Sequence, residues 1–264
     1  MNEPNYEYRG LMASTWDFLR GDTSKWEDKP FYRTLIDQYG QPVLDVGCGT
    51  GRLLLDYIAD GLDVDGVDNS PEMLALCHEK AQERGLAPRL YEQWMEMLDL
   101  PRQYRTIIVP SLSFQLVTDS DKALQAMNRF FKQLKDGAAL ILPFMNDDTP
   151  SASNDKSEWG DWACLTEKTR VDDGAIIRRW IRGMSVDQLQ HTENRYEVEI
   201  DGKIVASETI RQSPALRWYS QAQAQHLCET AGFEVVQMYD GFAFNPAIAT
   251  SKVFTIVAEK PASN

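Results

Sequence analysis

The chain has 264 residues, 43% of them apolar, and a formal net charge of −13. That length and apolar content suffice for one large core, alone or with an appended part, and exclude a disordered chain. The acidic balance argues against a nucleic-acid partner, whose phosphates call for basic patches. Cys48, Cys77, Cys164 and Cys228 lie far apart with no CxxC pair. The opening MNEPNYEYRG does not read as a signal peptide, and the longest apolar runs, such as AALILPF, are too short to cross a bilayer. A reduced, cytoplasmic protein with no membrane partner and no metal site is expected.

Residues 1–40 carry Tyr6, Tyr8, Trp16, Phe18, Trp26, Phe31 and Tyr32. They read as an N-terminal helical, aromatic arm, packed on the core or set as a lid over a ligand. From residue 42 strands and helices alternate. PVLDVGC is a short buried strand ending at glycine, TGRLLLDYIADG a helix stopped by Gly61, and LDVDGVDNS the second strand. Ser70 and Pro71 then open a helix that Gly85 stops. APRLYEQWM and YRTIIVPS supply the third and fourth strands, KALQAMNRFFKQLKDG a helix and AALILPF the fifth strand. This alternation predicts βαβ units around a parallel sheet, a cofactor-binding core over 41–150.

The pattern then breaks. NDDTPSASNDKSEWGD is a polar loop, and Asp173-Gly174 and Asp201-Gly202 are hairpin signals between runs of strand formers. Residues 151–215 are therefore expected to hold an antiparallel β insertion of three or four strands. Residues 216–264 complete the core, with a helix capped by Ser220 and two strands, FEVVQMYD and KVFTIVAEK, with no room for a helical crossover between them. The expected fold class is α/β: a Rossmann-like, doubly wound, seven-stranded and mostly parallel sheet whose last two strands pair antiparallel, plus the antiparallel insertion.

The glycines after the first strand carry the chemistry. A dinucleotide turn reads GxGxxG, but here Gly47-Cys48-Gly49-Thr50-Gly51 brings the third glycine one residue early, and no Walker Gly-Lys-Ser/Thr follows. What remains is a nucleoside without a pyrophosphate. Its ribose hydroxyls want an acidic residue near the end of the second strand, and Asp68 stands there.

LDVGCGTG, DGVDNSPEML, IIVPSLSFQLV and LKDGAALIL, followed by LRWYSQAQAQHLCETAGFEVVQMY, resemble the successive signatures of class I S-adenosylmethionine-dependent methyltransferases of the small-molecule type. The resemblance covers residues 40–145 and resumes at 216. It implies S-adenosyl-L-methionine as cofactor. Asp45 would face its amino group, directly or through water, and Gly47, Cys48, Gly49 and Gly51 would line it. Asp68 would grip the ribose, while Asn69 and Met73 would flank the adenine. The family's acidic-apolar pair after the third strand is here Trp94-Met95, a departure in which a backbone group or Trp94 stacking replaces the acidic contact. Ser111, Ser113 and Phe114 would lie under the sulfonium and near the substrate.

Methyl transfer from a sulfonium is an in-line displacement with a neutral leaving group, so no catalytic dyad is required. An amine acceptor must lose its proton, and Tyr8, His191, Arg217 and Tyr219 are the candidate helpers. Trp16 and Trp218 are candidate substrate contacts, while His78 and His226 read as surface residues of helices. The Asn/Asp-Pro-Pro-aromatic loop of enzymes that methylate DNA bases and glutamine is replaced by VPSLSF. The expectation is transfer to a nitrogen or oxygen of a small soluble molecule, with the insertion as substrate roof or homodimer interface. A nicotinamide oxidoreductase, a polyamine-synthase-like transferase and a non-catalytic cofactor-binding module are the alternatives.

Overall fold

The computed structural model describes residues 6–146 and 158–262. Most of the expected loop, and the expected boundary at 150, lie outside the described residues. In chain order the elements begin with helices α1 (Gly10–Ser14), α2 (Trp16–Arg20) and α3 (Asp28–Tyr39), then strand β1 (Val43–Val46) and α4 (Leu54–Ala59). There follow β2 (Val64–Asp68), α5 (Pro71–Glu83), β3 (Arg89–Glu92), β4 (Tyr104–Ile108), α6 (Ser120–Gln133) and β5 (Leu134–Met145). Strands β6 (Ala163–Thr169), β7 (Ile176–Val186), β8 (Leu189–Ile200) and β9 (Lys203–Arg217) come next. Helix α7 (Gln221–Thr230) and strands β10 (Glu234–Asp240) and β11 (Val253–Glu259) finish the chain. The described residues fall into two compact units: 26–146 with 218–262, and 6–25 with 158–217.

The first unit is built on a seven-stranded sheet in the order β10-β11-β5-β4-β1-β2-β3. Strand β11 pairs antiparallel with both β5 and β10, and the other pairings are parallel. This is the expected Rossmann-like sheet. All four residues of β1 are buried because β2 and β4 flank it in the sheet and apolar side chains cover its faces. Phe31, Tyr32, Leu35, Ile36, Leu54, Tyr57, Cys77, Ile108 and Ile141 form its core. The caps set the helix starts. Ser70 Oγ accepts from Met73 N–H ahead of Pro71, and Ser220 and Gln223 form a reciprocal capping box. One boundary differs from expectation: α6 ends at Gln133, and β5 runs from Leu134 through residues assigned by sequence to the helix. Leu134 is buried and pairs with Tyr104, so tertiary packing overrides the local helical pattern there.

The second unit is a four-stranded antiparallel sheet, β6-β7-β8-β9. Its hairpins turn at Asp173-Gly174 and at Asp201-Gly202, as expected, and also at Asp187-Gln188. That third turn was invisible in sequence because Asp187, with φ +53°, takes the left-handed conformation without a glycine. Helices α1 and α2 cover one sheet face, where Met12 and Leu19 meet Ile177 and Tyr196. The described residues of the expected 1–40 arm thus divide between the two units. Its first helices bury their apolar residues on the antiparallel sheet, while Phe31, Tyr32, Leu35 and Ile36 of α3 belong to the core of the first unit.

Candidate functional site

The turn after β1 holds Gly47, Gly49 and Gly51 at φ of +71°, +55° and +82°, a region costly to any side chain. Contact explains the rest. A Cβ on Gly47 would lie 2.9 Å from the Ser113 side chain and 3.6 Å from Met95 Cε, and one on Gly49 would lie 3.2 Å from Met73 Cε. A Cβ on Gly51 would lie 2.6 Å from Cys77 Sγ and 2.8 Å from Leu55, so that glycine serves the packing of α4 and α5. Cys48 is buried, with its sulfur against Gly66 of β2, and burial pushes its thiol up; only its backbone belongs to the turn.

The turn is tied to the end of β2. Val67 O accepts from the N–H groups of Gly47 (2.8 Å) and Cys48 (3.1 Å). The Asp68 carboxylate accepts from Gly49 N–H at 2.8 Å on one oxygen and from Ser70 N–H at 2.9 Å on the other. Two backbone donors therefore fix its orientation, as a carboxylate that accepts hydroxyl donors requires. Asn69 has a buried Nδ2 with no partner. Asp45, at the end of β1, is 1% exposed and its Oδ1 has no partner. Burial pushes Asp45 up to about 7; Arg52 opposes that rise, while Asp68 and Asp28 add to it.

These residues fit S-adenosylmethionine. The orphaned Asp45 oxygen suits an ammonium, the oriented Asp68 carboxylate suits two ribose hydroxyls, and Asn69 offers a donor to an adenine nitrogen or ribose oxygen. Met73 and Met95 are buried beside the turn, and Trp94 is half-buried just before Met95. After β4, Ser111 and Leu112 both adopt left-handed backbone, φ +57° and +62°, and Ser113 donates from both N–H and Oγ to Pro110 O.

The structure thus brings together Asp45, Gly47, Gly49, Asp68, Met73, Met95 and Ser113. It places Phe114 elsewhere: fully buried, with its ring centroid 6.3 Å from Phe130, 5.8 Å from Phe144 and 6.2 Å from Tyr219. Phe114 is a core residue, and the Tyr219 ring is mostly buried with it. Trp218, in the same unit, has a buried Nε1 without a partner. The other candidates belong to the four-stranded unit. There Tyr8 meets Trp16 edge-on at 4.8 Å, His191 Nδ1 lies 2.8 Å from Ser213 Oγ, and Arg217 ends β9. Burial and nearby Arg211 hold the His191 imidazole below its usual range. His78 and His226 are exposed. Sequence reasoning missed Asp28, Tyr32 and Arg52, which surround Asp45; only the basic residue directly after the glycine turn was a signal.

A family profile described as a methyltransferase domain matches residues 43–137. The chain is 32% identical over 147 residues to the phosphatidylethanolamine N-methyltransferase of Cereibacter sphaeroides, covering 54% of this chain and 70% of that one. Its fold is similar to an S-adenosylmethionine-dependent methyltransferase from Clostridium acetobutylicum (TM-score 0.76, 18% identity, covering 94% of this chain and 97% of that one). It is also similar to the sugar N-methyltransferase KedS8 from Streptoalloteichus (TM-score 0.71, 19% identity, 96% of each chain). The family match begins at the glycine turn's own strand and runs past the end of β2 with Asp68 and the turn after β4 with Ser113, and the chain belongs to the class I S-adenosylmethionine-dependent methyltransferases, with S-adenosyl-L-methionine as its cofactor.

Proposed function

We propose that this enzyme methylates a nitrogen or oxygen of a small soluble molecule, and that a neutral amine is the acceptor it serves best. The observation that carries the reading is the turn after β4. Left-handed backbone at two successive residues with side chains costs about 1–2 kcal/mol each, and such strain concentrates at functional sites. Here it sets Ser113 against Gly47, at the carboxyl end of a strand next to the cofactor turn.

When bound, the cofactor supplies a methyl group on a sulfonium. The protein's share is to orient that group, hold the nucleophile in line and exclude water. A neutral amine needs no further help. A hydroxyl needs a base to take its proton, and the candidates are poorly suited: the Tyr219 ring is packed between Phe114 and Phe144, and His191 is bonded to Ser213. Similarity to a sugar N-methyltransferase over nearly the whole of both chains supports an amine on a small molecule. The acidic charge favours neither a nucleic acid nor an anionic membrane surface as partner. We assign acceptor selection to the four-stranded unit, which the methyl-donor chemistry does not use.

The test is incubation with S-adenosylmethionine and a panel of small amines with matched alcohols, following S-adenosylhomocysteine release and product mass. Methyl transfer to at least one amine, with its alcohol inert, is expected. Methylation of alcohols alone, or of nucleic acid, would overturn the proposal.

A further inference from the structure

Around Asp45 the fold gathers side chains that methyl transfer itself does not use. Arg52 is the main positive influence on Asp45, yet it is not paired with it. Its guanidinium grips both oxygens of Asp28, with Nη1 3.0 Å from Oδ1 and Nη2 bonded to Oδ2. The Trp26 ring lies 4.9 Å from Arg52 Cζ. The pair is nearly dry: Asp28 is 3% exposed and the Arg52 side chain 12%. Tyr32 stands four residues after Asp28 on α3, hence on the same helix face. It is fully buried, its hydroxyl has no partner, and Asp28, Asp45, Tyr57 and Arg52 all act on it electrostatically. Two orphaned polar atoms, Asp45 Oδ1 and the Tyr32 hydroxyl, thus share one buried cluster. Left unfilled they are costly, which marks a place built for a polar group.

We propose that Asp28 and Arg52 are positioning residues for Asp45 and that Tyr32 is a second binding residue beside it: Asp28 keeps the guanidinium off the Asp45 carboxylate, so that Oδ1 stays open to the cofactor's ammonium, and Tyr32 offers that ammonium a second acceptor. The charges agree. Asp28 and Arg52 neutralise each other at close range, so the guanidinium does not cancel the negative charge of Asp45. If Arg52 closed on Asp45 instead, the ammonium would have to displace it. This rests on the assignment of Asp45 to the cofactor's ammonium. Only ionised Asp45 can serve that role. The groups facing it are Arg52 and Cys48 from the glycine turn, Asp68 from β2, Asp28 and Tyr32 from α3 and Tyr57 from α4, with Leu54 N–H donating to it.

The experiment is calorimetric titration of the full chain with S-adenosylhomocysteine across a pH series. In the unmodified protein, affinity should fall on the acid side as Asp45 takes up a proton. Arg52→Met should move that acid limb to higher pH, and Arg52→Lys should bring it part of the way back. Asp28→Asn should free the guanidinium to pair with Asp45, moving the limb down by about one pH unit while weakening affinity above it. Tyr32→Phe should weaken affinity at every pH and leave the limb in place. A merely structural role would move no limb. Limbs unmoved in both charge variants, or moved the same way, would overturn the proposal while the cofactor site stands. Failure of the folded, unmodified protein to bind would instead defeat the cofactor assignment itself.

Discussion

The two units solve different problems, and they differ in what they demand of the backbone. In the first unit the glycine turn, the Asp68 carboxylate held by two N–H groups and the left-handed Ser111-Leu112 pair are backbone devices. They suit a nucleoside-bearing cofactor of fixed shape. In the four-stranded unit the left-handed residues Asp187 and Asp201 sit at hairpin turns, and the strands between carry the chemical variety in their side chains. One sheet face is aliphatic under α1 and α2. The residues of opposite parity carry Trp180 and Arg195 with ring and guanidinium 5.4 Å apart, and Arg182 and Arg195 each 4.9 Å from Trp162. Glu193 and Glu197 pair with those arginines. The proposed division of labour follows this difference: constrained backbone for the cofactor, exchangeable side chains for the acceptor.

The sharpest break between the units should come from Asp68→Ala. It removes a charged acceptor from two hydroxyls, each hydrogen bond worth at most about 1.5–3 kcal/mol. Calorimetry should show a loss of S-adenosylhomocysteine affinity of about a hundredfold; unchanged affinity would place the ribose elsewhere. Phe114→Ala should cost stability instead, about 3–5 kcal/mol for a fully buried aromatic, read as a lowered denaturation midpoint. Ser113→Ala beside it should leave the midpoint in place and slow turnover. If the two behave alike, the division between core and site at this turn is wrong.

Asp45 gives a smaller effect with a definite sign. Its carboxyl is raised from 3.8 to about 7 in the folded chain. The folded state therefore holds a proton that the unfolded state has lost between those values. The stability this contributes is complete below about 4 and disappears as pH rises through about 7. In Asp45→Asn the ligand-free protein should lose that slope, as a comparison of melting temperatures at pH 5 and pH 8 would show. Cofactor affinity runs the other way, falling about tenfold per pH unit below 7. The smallest expected effect lies in the second unit. Gly10, at φ +57°, sits where a Cβ would strike the Glu208 carboxylate, which accepts from Leu11 N–H at 2.6 Å. Gly10→Ala should cost about 1–2 kcal/mol, visible as faster proteolysis near α1, with cofactor affinity untouched.

The same contrast decides what was legible in the sequence. Glycines at positive φ, a serine cap before a proline and an acidic residue ending β2 are each demanded by local physics, so the core and the turn after β1 could be read directly. The Asp187 turn was missed because aspartate there does what glycine usually does. Phe114 was misplaced because an aromatic after a strand suits a pocket wall and a core equally well, and only the rings of Phe130, Phe144 and Tyr219 decide. Asp28 and Tyr32 were invisible because their meeting with Arg52 and Asp45 depends on how α3 packs, which no local pattern encodes.

The most direct test of the account is a calorimetric titration of the folded chain with S-adenosylhomocysteine, at a pH above that at which Asp45 has lost its proton. The expected result is micromolar binding at one site per chain, preserved in Trp180→Ala of the four-stranded unit. Absence of binding by a folded protein, or its loss in Trp180→Ala, would contradict the location of the cofactor site within the first unit.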